Sequence, residues 1–342
     1  MLRMLGLLIT VCAAIATAIV TWPQFFHLER TFPFAQGVAS RGLLAVVFVC
    51  VAILALLLSF AKSIRGFAAS LAIIGIIGAG ANGAILAVRG FGTQALPEKT
   101  ATSLRVMAWN TAGEATPADT IAETAVAMDA DIVSLPETAE SVGERVAVAM
   151  RDLGRPMWVL HVSFNQTDYE GPQAWETTIL ISPQLGDYSV IQSSEDGTSN
   201  TGSLPSAVAM PVDGDGPTIV AVHAVAPRPA QMSGWEKDLQ WIADQCADGN
   251  VILAGDFNAT IDHMASLGTG DGQMGQCTDA AAITGNGAVG TWPTGIPALA
   301  GVPIDHVMTS KSWTATGSVV LRSLDDSGSD HRPLIVQLEP TG

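Results

Sequence analysis

The stretch Leu253-Ala254-Gly255-Asp256-Phe257-Asn258-Ala259-Thr260, "LAGDFNAT", decides how this chain is read. An apolar run starting at Val251 stops on a glycine, then presents a carboxylate and a carboxamide two positions apart. Taken alone, Asp256 and Asn258 make a turn as readily as a site, because both side chains bond to nearby backbone. The rest of the chain decides between the two. "LRVMAW" ends on Asn110, "DIVSLP" on Glu137, "TIVAV" on His223 and "GVPI" on Asp305-His306, while "SGS" leads into Asp330-His331 ahead of "PLIVQL". Six segments thus place a carboxylate, carboxamide or imidazole where an apolar element ends. Ligand and catalytic groups gather at such ends, where a scaffold fixes them.

These residue types suit one chemistry. Oxygen donors from Glu, Asp and Asn are what a hard divalent cation prefers, Mg²⁺ first and Mn²⁺ as the alternative. Phosphate-ester hydrolysis needs a cation to offset phosphoryl charge and a base to orient water. His331 with Asp305 makes such an acid–base pair if the fold joins them, and His223 can donate to a phosphate oxygen or leaving group. His161, His263 and His306 read as structural or exposed. Arg228 and Arg332 flank motif residues and are candidates to meet a phosphate. Trp175-Glu176 is a candidate substrate rim.

Around these residues apolar strands alternate with helices. Strands are expected at Leu104–Trp109, Asp131–Leu135, Trp158–Val162, Thr177–Ile181, Tyr188–Gln192, Ser206–Val212, Thr218–Val222, Val251–Ala254, Asp305–Thr309, Thr314–Leu321 and Leu334–Leu338. Helices are expected from Thr116-Pro117, with Thr116 as N-cap, over Ser141–Leu153 and over Trp235–Cys246. Many strands with few helices predict a mixed α/β (α+β) sandwich, two sheets face to face with helices outside. The loops Ser193–Leu204 and Leu267–Thr291 are expected to be mobile rims.

Three uncharged apolar stretches come first: Met4–Trp22, Leu43–Phe60 and Phe67–Val88, of 19, 18 and 22 residues. Each is long enough to cross roughly 30 Å of hydrocarbon as a helix. The first also resembles the apolar core of a signal peptide, but two further spans favour its retention. Gly75, Gly78, Gly80 and Gly83 allow close helix packing. Arg3, Lys62 and Arg65 belong on the cytoplasmic side, although Arg30, Arg41 and Arg89 fall outside and blunt the bias. The expected organisation is a three-helix membrane region at 1–90, a linker at 91–103 and a catalytic domain at 104–342, placed extracytoplasmically in a multi-pass cell-membrane protein.

Charge narrows the partners. Residues 1–99 carry seven Lys/Arg and two Asp/Glu (+5), while residues 100–342 carry nine and thirty (−21), which sum to the chain's −16. Nucleic-acid binding depends on Lys/Arg neutralising phosphates, so a polyanion is an unfavoured partner and a phosphorylated small molecule or lipid a better one. Cys12 and Cys50 lie in apolar runs; Cys246 and Cys277 pair as a disulfide if the domain faces an oxidising compartment.

"WN" at 109–110, "LPET" at 135–138, "HAVAP" at 223–227, "GDFNA" at 255–259, "IDHV" at 304–307 and "SDHRP" at 329–333 occur in the order seen in the endonuclease/exonuclease/phosphatase superfamily. That group includes pancreatic-type deoxyribonuclease, abasic-site endonucleases, neutral sphingomyelinases and inositol-phosphate phosphatases. The resemblance spans about residues 104–339 and implies a four-layered α/β/β/α sandwich with Mg²⁺-dependent phosphoester hydrolysis. It implies metal binding by Glu137 with Asn110 beside it and Asp330 completing the metal or histidine environment. Asp256 and Asn258 would orient water and phosphoryl oxygens. His331 would be the base or phosphate stabiliser oriented by Asp305, with His223 the second histidine. Pro136 departs from the glutamine common before the family's glutamate. Three spans ahead of such a domain are similar to the arrangement in teicoplanin-resistance-type proteins, which implies a lipid carrier pyrophosphate as substrate. A surface nuclease and a non-catalytic membrane scaffold are the alternatives.

Overall fold

The structure is a computed structural model in which residues 2–92, 95–163, 173–191 and 200–341 are described. Two six-stranded sheets form its centre. Across the first run β11 (Trp313–Val320), β12 (Leu334–Pro340), β1 (Leu104–Ala108), β2 (Ile132–Pro136), β4 (Glu176–Ile181) and β3 (Trp158–Ser163). Across the second run β5 (Tyr188–Ile191), β6 (Ala207–Pro211), β7 (Thr218–His223), β8 (Val251–Asp256), β10 (Asp305–Thr309) and β9 (Thr278–Asp279). Both sheets are mixed: β1–β2 and β7–β8 are parallel, and the other pairs antiparallel.

Strand side chains alternate between faces, so each strand feeds two cores. Val106, Ile132, Ala221, Ala254 and Val307 are buried together with Leu334 and Val336 in the cluster between the sheets. On the outer face of the first sheet, Met107, Val133, Leu135 and Leu180 are covered by α5 (Ala118–Ala127) and α6 (Glu140–Asp152). On the outer face of the second, Val220, Val222 and Leu253 meet Trp235, Leu239 and Ile242 of α7 (Met232–Gln245). The result is the four-layered α/β/β/α sandwich.

Three details differ from the sequence reading. Thr116 does not cap α5; its hydroxyl donates to the Thr111 carbonyl, and Pro117 occupies the cap position. Within Leu267–Thr291 lie β9 and the short α8 (Ala280–Ile283), with Met274, Cys277 and Asp279 buried, so this segment is packed structure rather than a rim. Residues 193–199 of the other expected rim lie outside the described residues. Cys246 and Cys277 form a disulfide with their Cα atoms 5.9 Å apart. The segment after residue 90 also lies against the domain: Pro97 packs on Gly317, and Lys99 pairs with Asp131 at 2.6 Å.

Helices α1 (Leu2–Thr21), α3 (Arg41–Leu58) and α4 (Arg65–Arg89) are each long and apolar enough to cross a membrane. Gly75 and Gly78 let α3 approach α4: a Cβ on either would come within 2.9 Å of Phe48 or Ala52 atoms. Gly80 and Gly83 meet nothing there. Between α1 and α3, the segment Trp22–Ser40 carries the short helix α2 (Phe34–Ala39), with Ala35 buried in the same cluster as α7.

The helix bundle is locked to the sandwich at one carboxylate. Asp262 receives Arg41 Nε and Nη2 at 2.7 Å each, and Arg89 Nη1 and Nη2 at 2.7 and 2.8 Å. Burial pushes its carboxyl upward, but the hydrogen bonds and charges of Arg89 and Arg41 hold it well below the usual carboxylate range. Arg30 donates to the carbonyls of His263 and Ala265, at 2.9 and 2.7 Å. The three arginines that blunt the charge bias of the spans are therefore all taken up by the sandwich.

Candidate functional site

Strand register brings the candidate residues together. His223 lies opposite Asp256 across the β7–β8 pair, and Asp256 opposite Asp305 across β8–β10. All three sit in phase with Ala221, Ala254 and Val307, so they project from the face that packs against the first sheet. They occupy the positions where that core ends. From the first sheet, Asn110 follows β1 and Glu137 follows β2. The site is the open end of the seam between the sheets.

Backbone conformation holds two of these groups. Glu137 has φ 57° and Asn258 φ 47°, both in the left-handed region that costs a non-glycine residue energy. Gly255 has φ 144°, and a Cβ there would lie 2.2 Å from the Val222 carbonyl oxygen. Only glycine lets β8 run this close to β7 immediately before Asp256.

Asn110 links the two sheets, its Nδ2 donating to Glu137 Oε1 at 3.1 Å and Asp256 Oδ2 at 3.2 Å. Its Oδ1 accepts from the Ala112 N–H at 3.0 Å. As oriented, Asn110 turns its amide nitrogen toward the two carboxylates. Asn258 Nδ2 donates to the Ala224 carbonyl at 2.9 Å and to Asp256 Oδ2 at 3.1 Å, while its N–H donates to Asp256 Oδ1 at 2.8 Å. Asn258 thus closes the turn of "GDFN", and the turn is what aims Asp256.

His331 Nδ1 donates to Asp305 Oδ2 at 2.8 Å, leaving Nε2 to face Asp256 and Asp330, each at 3.9 Å. Burial lowers the affinity of this imidazole for a proton, but Asp305, then Asp256 and Asp330, reverse that and push it well above the ordinary histidine value. Asp256 is pushed upward chiefly by burial. Burial also raises Glu137, but His223 and Asn110 outweigh this and leave it below the usual range. His223 Nε2 stands 3.6 Å from Glu137 Oε1, a charge contact too long for a hydrogen bond. His223 is 1% exposed, yet neither ring nitrogen has a hydrogen-bond partner among the described residues. Buried polar atoms are nearly always paired, so this orphaned ring marks where a ligand belongs. Asp305 Oδ1 is orphaned as well.

All eight expected site residues converge. Asp330 is the outermost, its Oδ2 accepting from Trp292 Nε1 at 2.8 Å. Donor atoms of Asp256, Asp305 and His331 lie within 4.8 Å of one another, and Glu137 adds a further carboxylate; this donor set fits a divalent cation. Of the flanking candidates, Arg228 and Trp175 line the cavity over the site. Arg332 does not: fully buried, it binds Asp325 and the carbonyls of Gly290, Pro293, Thr294 and Ile296. His263 and His306 are structural, donating Nε2–H to the carbonyls of Ala35 and Ala259. Sequence reasoning gave no role to Ser329, whose hydroxyl donates to the Asn110 carbonyl at 2.7 Å and accepts from the His331 N–H at 2.9 Å. The serine was visible in "SDH", but its acceptor, Asn110, stands 219 residues earlier in the chain. Trp292 had no sequence signal.

Residues 107–331 match the profile of the Endonuclease/Exonuclease/phosphatase family, well over half of the chain. No curated protein matches. Similar solved structures include an endonuclease/exonuclease/phosphatase from Beutenbergia cavernae, 19% identical with TM-score 0.52, covering 70% of this chain and 72% of that one. A family protein from Leptotrichia buccalis is 13% identical with TM-score 0.52, covering 69% and 99%. A humanized D. rerio TDP2 with 14 mutations is 15% identical with TM-score 0.51, covering 70% and 100%. At these identities the likeness is one of fold.

Proposed function

Since this chain belongs to the endonuclease/exonuclease/phosphatase family, we propose that it is a membrane-anchored, metal-dependent hydrolase of a phosphate or pyrophosphate ester. We place its substrate among lipid carrier pyrophosphates outside the membrane. The observation that carries the reading is the convergence of Glu137, Asp256, Asp305 and His331 around His223, a buried imidazole with both nitrogens unpartnered. A phosphate oxygen is the partner such a ring lacks.

Glu137 and Asp256, with Asp305 and Asp330 nearby, would hold Mg²⁺, which offsets charge on the phosphoryl oxygens. Asp256, aimed by Asn258, would take the proton of the attacking water as its oxygen bonds to phosphorus. Asp305 keeps His331 charged, so its Nε2–H donates to a phosphoryl oxygen. His223, beside Asp256 in the β7–β8 pair, would donate to the departing oxygen as the old P–O bond breaks. Asn110 and Asn258 hold the carboxylates in place.

The disulfide supports an oxidising, extracytoplasmic setting for the domain. Three apolar helices of alternating direction, of which α1 ends at Thr21, α3 begins at Arg41 and α4 ends at Arg89 beside the sandwich, support placing it opposite the N-terminus. The acidic balance of the domain favours the lipid over nucleic acid.

The test measures phosphate released from a polyprenyl pyrophosphate by the purified protein with Mg²⁺ or EDTA, with plasmid DNA and RNA in parallel. Glu137→Ala and His331→Ala are expected to lose about 10²-fold or more, and EDTA to abolish turnover. Unchanged activity in both variants sinks the reading. Comparable digestion of DNA replaces it with a nuclease.

A further inference from the structure

The cavity over the site has a volume of about 960 Å³. That is the upper end of the roughly 300–1,000 Å³ that holds a drug-sized organic ligand, far more than a phosphate needs. Glu137, His223, Asp256 and His331 lie on its catalytic side. The cavity is not lined by the sandwich alone: Ala35, Gln36, Ala39 and Ser40, of the segment joining the first two apolar helices, form another part of its wall. Ser40 is followed directly by Arg41, the first residue of α3. The cavity therefore begins one residue from the end of a helix long enough to cross a bilayer.

This wall is built in. His263 Nε2 donates to the Ala35 carbonyl at 2.9 Å, and Gln36 Nε2 donates to the Pro227 carbonyl at 2.5 Å. Ala35 is fully buried, and Arg30, Arg41 and Arg89 bind the turn at 262–265 that continues from the catalytic "GDFN". The apolar rim extends both ways. Trp22, Phe25, Phe26 and Phe32 are exposed in the same interhelical segment. Across from them Leu299 is exposed, its carbonyl packed against Gly42 in the first turn of α3. Exposed aromatic side chains beside an apolar helix end are the composition of a membrane interface.

We propose that α2 is a specificity-determining wall. On this reading it accepts a phosphate ester whose hydrocarbon stays in the bilayer and whose first carbons pass Ala39 on the way to His223. This deepens the hydrolase reading above and rests on it. A soluble ester needs only the catalytic side; a lipid ester must also pass the wall.

The experiment uses the full chain in phosphatidylglycerol vesicles, given either a polyprenyl pyrophosphate in the same vesicles or soluble 4-nitrophenyl phosphate. Ala39→Trp and the milder Ala39→Leu add bulk to the wall, and melting temperature reports their folding. The expected result is a rise in KM for the lipid of about tenfold or more in Ala39→Trp, smaller in Ala39→Leu, with kcat nearly kept. The lipid-to-soluble ratio of kcat/KM then falls by the same factor. An unchanged ratio in folded variants, or equal loss on both substrates, overturns the proposal while leaving the hydrolase intact. A wild type that cleaves neither substrate overturns the hydrolase reading and this inference with it.

Discussion

Gly255 sets the position of Asp256 more than any side chain around it does. With φ 144° and only 2.2 Å between a would-be Cβ and the Val222 carbonyl oxygen, Gly255→Ala must both strain its backbone and push β8 from β7. Strain and overpacking of this kind each cost about 1–3 kcal/mol. Gly255→Ala is therefore expected to lower the melting temperature clearly and to depress turnover, because Asp256 moves with the strand. An unchanged melting curve would show that the strand pair gives way at no cost. The residues at this scale were largely legible from the sequence, because a site at strand ends inherits the two-residue period of the strands. His223, Asp256 and Asp305 could be picked out because the core residues before or after them are in phase. Arg332 was misread for the opposite reason: it stands beside His331 in sequence, but alternation turns it inward, to the carbonyls of the 290–296 loop.

Among the elements, the longer strands and helices were expected at nearly their observed bounds, whereas the short β9, α8 and α2 were not. Six residues, "FAQGVA", carry too little periodicity to mark a helix; what fixes them is tertiary, chiefly the bond from His263 to Ala35. The same histidine is sensitive to acid, because its Nδ1 must stay unprotonated to accept the Thr260 N–H at 2.8 Å. Burial lowers His263 to about 4 from an ordinary value of 6.5. A group lowered in the fold stabilises above its unfolded value and loses that contribution as pH falls toward its folded one. The window is thus pH 6.5 down to about 4, and the full contribution is roughly 3 kcal/mol. Melting temperatures of the wild type and His263→Asn across this window should converge as pH falls, since the asparagine does not titrate. Asp256, raised by burial, shifts both proteins alike and cancels in the difference. Curves that stay parallel would show that His263 does not carry the dependence.

Over the whole molecule, the sequence suggested a membrane region and a catalytic domain joined by a linker. That division missed Asp262, because nothing local announces that an aspartate after the "GDFN" turn will collect two arginines 221 and 173 residues away. Removing the carboxylate leaves two guanidinium groups facing each other, Arg41 only 3% exposed. Breaking a buried ion pair in this way costs about 3–5 kcal/mol. Asp262→Ala should unfold at distinctly lower temperature in detergent than the wild type; equal stability would show that water or lipid readily replaces the carboxylate.

The same carboxylate bears on where the chain can be divided. A cut between Arg89 and Leu104, the natural place to free the sandwich, would take away both guanidinium partners of Asp262, the Ala35 carbonyl that receives His263, and one wall of the catalytic cavity. The freed piece would keep every residue of the proposed site and still lack part of its own interior. In assembly terms the helices complete the interior of the sandwich as well as preceding it in the chain.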